Sequence, residues 1–158
     1  MDFEAYGLVL GIHSTLRWVV LGAGLLAAAA AWASRFGSKS WTDTTTAAGR
    51  AFAVAMDLQL VVGLLLYVVL SPTVAAGLGD MSGAMGDAQH RFWMVEHPAA
   101  MILALVLAHI GAAKSRRAVR AEGGAGPSAW YFTLAFLLVV AVLPWPFLDH
   151  GRPLLPSW

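Results

Sequence analysis

Four apolar runs of near-membrane length dominate this chain: roughly residues 7–33, 47–70, 92–113 and 129–148. A helix needs about 20 apolar residues to cross the hydrocarbon core of a bilayer, and each run meets that length. Lipid offers no partners to bare N–H and C=O groups, so each run can satisfy its backbone only as a helix. The charge supply agrees. Only 12% of the residues are Asp, Glu, Lys or Arg, against about a quarter in soluble domains, too few to cover a globular surface. Nothing outside the runs is long enough to bury a core of its own, so residues 1–158 read as one transmembrane domain.

The same composition excludes several chemistries. With no cysteine there is no disulfide scaffold, no Cys-ligated zinc or iron–sulfur site and no thiol enzyme. A net charge of +1 supplies no concentrated basic face for nucleic acid. The first run is not expected to be a signal peptide, although Ala31-Trp32-Ala33 resembles a cleavage site. Asp2 and Glu4 precede it where basic residues belong, and it is longer than a signal's apolar core.

Orientation follows from the connections. Arg35, Lys39, Arg50, Lys114, Arg116, Arg117 and Arg120 fall on one side, and only Arg91 and Arg152 on the other, beside Asp2, Glu4, Asp80, Asp87 and Asp149. The positive-inside rule then places both termini and the second loop outside, on a periplasmic side. Trp32, Trp41 and Trp130 would mark the inner interface, and Trp93, Trp145 and Trp158 the outer one. Short loops make sequential helices neighbours, so the expected fold is an all-α, antiparallel four-helix bundle. Pro98 should disturb the start of the third helix, and Pro144 with Pro146 should end the fourth. Gly123–Gly126 reads as a flexible turn.

Polar and ionisable groups inside a bilayer are costly and ask for a reason. They are His13 and Arg17 on the first helix, Asp57 and Gln59 on the second, and Glu96, His97 and His109 on the third. At 1.5 Å rise per residue, His13 and His97 lie at nearly the same depth, each within about two helical turns of the outer end of its run. Matched histidines on two parallel helices suit axial ligation of a haem iron by two imidazoles. Neighbouring helices about 10 Å apart put diagonal ones about 14 Å apart, close to what two imidazoles and an iron require. Arg17 or Arg91 would pair with the propionates, and Gln59 or Glu96 would orient a ligand imidazole. Without a C-x-x-C-H segment the haem would be non-covalent, b-type. His90 is a substitute for His97, seven residues earlier on a similar face. His150 reads as a surface residue and His109 as interfacial.

Two other readings compete. Intramembrane polar residues also hydrogen-bond across helices simply to hold them together, with Arg17 pairing to Asp57 or Glu96. Met81, Met85, Met94 and Met101, with His90 and His97, form a thioether–imidazole set suited to Cu(I). Against the copper reading, Met94 and Met101 serve equally as apolar filler, and Met81 and Met85 as part of a loose loop.

Five segments carry a resemblance: H-S-T-L-R-W (13–18), Q-L-V-V-G-L-L-L-Y (59–67), R-F-W-M-V-E-H-P (91–98), K-S-R-R (114–117) and P-W-P-F (144–147). In this order they resemble a family of small bacterial four-helix membrane proteins labelled cytochrome b-like. The family's opening pattern is H-S-G-L-R-W, and this chain has Thr15 where that glycine stands, with His13 and Arg17 in place. The resemblance implies the four-helix fold and a haem, and by position it picks out His13, Arg17, Gln59, Arg91, Glu96 and His97. The leading expectation is thus a membrane b-type cytochrome or cytochrome-like subunit. One haem near the outer face would move electrons between the quinone pool and a membrane or periplasmic redox partner. The alternatives are a haem-free accessory subunit of a larger respiratory or photosynthetic complex, and copper binding or transfer at the outer Met/His stretch.

Overall fold

The first three helical stretches run past the apolar segments that seed them, because an i→i−4 hydrogen bond does not require an apolar side chain. The computed structural model describes residues 3–37, 41–121 and 125–156. Asp2, Lys39, Gly123, Gly124, Trp158 and the side chain of Trp41, used above, lie outside the described residues. The α-helices are α1 (Phe3–Phe36), α2 (Trp41–Leu65), α3 (Pro72–Gly79), α4 (Met81–Gly86), α5 (Ala88–Arg91), α6 (His97–Arg120) and α7 (Ala129–Ala141). Glu4 in the first turn of α1, and Arg35, Arg117 and Arg120 in the last turns of α1 and α6, complement the helix dipoles. Three stretches, Glu4–Phe36, Thr42–Leu70 and Ala88–Arg120, are long and apolar enough to cross a membrane.

The fourth run departs from expectation. α7 has 13 residues, about 20 Å, and stops at Ala141, well short of residue 148. Pro144 biases Leu143 away from helical geometry, and Val142 has already left it at φ −105° and ψ 12°. Trp145 Nε1 donates to Val140 O (2.9 Å), satisfying a carbonyl near the end of the helix. The chain then turns back as a tail, with Gly151 N bonded to Leu148 O and Arg152 N to Pro144 O.

Residues 71–91, read above as a loop, form three short helices. Each begins at a capping side chain: Ser71 accepts from Val74 N, Asp80 from Gly83 N and Asp87 from His90 N. Asp87 also meets the His90 ring at 2.8 Å. The His90 backbone N–H, then the ring, hold the Asp87 carboxyl below its ordinary value of 3.8. A depressed carboxylate stabilises the cap fully above that ordinary value and loses its effect as pH falls through the lowered one. Acid titration below pH 3.8 should therefore fray α5 locally, read as faster hydrogen exchange at the His90 amide. Asp87→Ala should show that exchange at neutral pH.

Pro98 acts as expected. A π-helical turn, Phe92–Glu96, precedes it, and His97 N reaches back to Phe92 O. Proline has no N–H for the carbonyl four residues earlier; Tyr67 Oη donates to that carbonyl, Met94 O, at 2.9 Å. Tyr67 itself lies in the π-helical turn Leu66–Leu70 that extends α2.

α1 and α6 each pack along both α2 and α7. Small residues permit the close approach: Ala27 and Ala31 of α1, Ala104 and Ala108 of α6 and Ala135 of α7 are fully buried. Phe52 and Phe132 fill the remaining space. Trp32 meets Trp130 edge-on at 4.9 Å, joining α1 to α7 at one end of the molecule.

Candidate functional site

His13 sits ten residues into α1, and His97 nine residues into the Ala88–Arg120 stretch. Both line one cavity of about 460 Å³ bounded by α1, α2 and α6, with Gln59, Gly63, Trp93 and Arg152. A smaller recess against the same histidines adds Arg17. The histidines at matched depth therefore share a space. Among the described residues no Asp or Glu side chain lines either the cavity or the recess.

The two imidazoles are held differently. His97 Nδ1 is 3.0 Å from Val142 O, the first carbonyl beyond α7. A carbonyl there requires Nδ1 to carry the proton, which leaves the Nε2 lone pair free for a ligand. His13 Nδ1 is buried with no hydrogen-bond partner. Gly63 makes room for that ring, since a β-carbon on it would lie 3.0 Å from His13 Cε1. Gln59 Nε2 donates to the His13 main-chain oxygen (2.9 Å), so it fixes α1 against α2 and leaves the ring unheld.

Of the other expected site residues, Arg17 lines the recess and Arg91 and Glu96 lie elsewhere. Arg91 Nε pairs with Glu96 at 2.8 Å and a second nitrogen bonds Met85 O, and neither side chain lines the cavity. Arg17 donates to the carbonyls of Pro153 and Leu154 in the returning tail. Asp57, offered above as a partner for Arg17, bonds His109 instead. His90 is occupied by Asp87, and His150 stacks on Phe92 at 3.6 Å.

The methionines divide: Met94 and Met101 line the cavity together with His97, and Met81 and Met85 do not. Met94 is buried with Val74 and Ala84, with Met85 packed against them. Met81 is exposed. Among the described residues no group of three or more His, Cys, Asp or Glu gathers.

Arg152 is the cavity residue that sequence reasoning missed. Its guanidinium lies 4.7 Å over the Trp93 ring and donates to Tyr6 Oη at 3.3 Å, while its Nε is buried without a partner. Arg17 Nε is likewise buried and unpartnered. Two guanidinium groups and two imidazoles, with no carboxylate among them, make the site suited to an anionic ligand that also accepts lone pairs from nitrogen. No family model matches this chain, and no curated protein or solved structure matches it. The cytochrome b-like resemblance therefore rests on its motifs alone.

Proposed function

We propose that this chain is an integral membrane four-helix protein of a bacterial inner membrane, with both termini outside, that holds one b-type haem in the cavity between His13 and His97. One observation carries the reading: imidazoles from α1 and α6 face a single cavity, one anchored through Nδ1 to Val142 O and the other without a hydrogen bond at Nδ1. The residues fit the group. Val142 fixes the tautomer and direction of the His97 ring, as outer partners of ligand histidines do. Gly63 gives the His13 ring its place. Arg17 and Arg152, in place of the Arg91 expected above, supply the unpartnered donors for two carboxylates. Trp93 and apolar side chains form the remaining walls of the cavity.

Such a group would supply one-electron transfer, and this chain's own residues bind it, orient it and balance its charge. Quinone on the membrane side and a periplasmic redox protein on the other are the proposed partners. The test is a reduced-minus-oxidised visible spectrum of the purified, haem-supplied protein. A b-type spectrum lost in both His13→Ala and His97→Ala, with helical content unchanged, is the expected result. A well-folded preparation that takes up no haem would sink the reading and favour an accessory subunit. Stoichiometric copper lost with Met94→Leu would favour metal handling instead.

A further inference from the structure

Asp57 and His109 form a hydrogen-bonded pair at 2.8 Å, with side chains 49% and 47% exposed. Both lie inside stretches long and apolar enough to cross a membrane, Thr42–Leu70 and Ala88–Arg120. Their surroundings on the outward face are Val54, Leu58 and Val61 of α2 and Val106 and Ile110 of α6, all exposed. His109, read above as interfacial, is thus set among exposed apolar side chains, where an acid–imidazole pair leaves polar atoms unsatisfied.

The bond uses His109 Nε2 and Asp57 Oδ1, which leaves His109 Nδ1 and Asp57 Oδ2. Net-neutral forms are favoured in lipid. In the ion pair, Nδ1 carries a proton and Oδ2 is a bare acceptor. In the neutral pair, the Oδ1–H of a protonated carboxyl donates a hydrogen bond to the Nε2 lone pair, Nδ1 again carries a proton and Oδ2 is a carbonyl acceptor. Either way the pair presents one donor and one acceptor side by side. That arrangement is complementary to itself under a two-fold rotation, because donor meets acceptor twice.

We infer that the α2–α6 face centred on Asp57 and His109 is the contact surface for a second copy of this chain, closed by two reciprocal His109–Asp57 hydrogen bonds. The inference rests on the membrane placement proposed above and is independent of haem. In lipid the flanking valines and leucines gain little from meeting one another, so the polar centre sets the partner and the apolar rim provides the fit.

The chain contains no cysteine, so single cysteines report the contact cleanly. Val106→Cys, one turn from His109, should cross-link to a covalent dimer when the full chain in phosphatidylcholine vesicles is oxidised. Leu137→Cys, on the exposed side of α7, should not. Asp57→Leu/His109→Leu should weaken dimer association about tenfold, equivalent to about 1.4 kcal/mol shared between two bonds of ordinary membrane strength. Should that double variant misfold, the cysteine pair still decides the matter in the parent chain. Equal cross-linking at both positions, none at Val106→Cys, or an unweakened dimer in the double variant would each overturn the contact. Release of the parent chain from membranes by an alkaline carbonate wash would overturn the membrane placement itself. A monomer retained after that wash would overturn the dimer alone.

Discussion

Replacing Phe132 by alanine is expected to cost about 3 kcal/mol or more, the range for emptying a buried aromatic site. The ring is fully buried at the meeting point of α2, α6 and α7. It tilts against Phe52 at 6.4 Å and occupies space that Gly49 and Gly111 leave open. A β-carbon on Gly111 would fall 2.7 Å from Phe132 Cε1, and one on Gly49 would also meet the end of the ring. Apolar transfer from water contributes little to helix association in lipid, so the loss is mainly of packing contacts. Gly111→Ala is expected to destabilise by about 1–3 kcal/mol through overpacking. In Gly111→Ala/Phe132→Leu the smaller side chain yields to the new methyl, and the combined loss should fall short of the sum. Reversible unfolding in mixed detergent micelles measures all three. An unchanged midpoint in Phe132→Ala, or strict additivity in the double variant, would remove Phe132 from the centre of this packing.

Much of the fold was legible because it depends on one-dimensional quantities. Run length and charge placement yielded the three long helices, and rise per residue placed His13 and His97 at one depth, where the structure finds them sharing a cavity. What depends on chain reversal was not legible. Residues 142–156 leave the α7 axis and return, so Arg152 reaches Trp93 and Tyr6, which no periodicity encodes. The available signal was P-W-P followed by H-G-R-P, a breaker-rich segment that still carries large aromatic and basic residues. Arg91 was misplaced for a different reason. Helical spacing treats positions 91 and 96 as facing apart, but the π-helical turn over Phe92–Glu96 shifts the register and brings the two side chains to 2.8 Å. Asp57 could not be assigned by depth alone, since α2 packs on both α1 and α6 and the partner is chosen by face.

Arg17→Leu is expected to release the C-terminal tail. Arg17 is a buried residue, 7% exposed; its guanidinium donates to Pro153 O at 2.6 Å and to Leu154 O, and Trp18 Nε1 adds a bond to Leu154 O at 3.1 Å. Hydrogen bonds from a charged donor contribute about 1.5–3 kcal/mol each, so losing two raises the open population by about a hundredfold or more. Trp18→Phe removes one neutral bond of about 1 kcal/mol and should raise it only about fivefold. Arg17→Lys keeps the charge without the planar fork and should fall between them. Chymotryptic cleavage after Leu154 reads the open population directly when reclosing is faster than cutting. The same release should loosen the cavity, because the tail carries Arg152 and begins at Val142, whose carbonyl orients His97. Haem uptake should therefore weaken with cleavage in Trp18→Phe, and further in Arg17→Leu, which also loses the donor at Arg17 Nε. Equal cleavage across the three variants and the parent would mean that the Phe92–His150 stack and the Trp145 bond hold the tail, and that Arg17 is free to serve the cavity ligand alone.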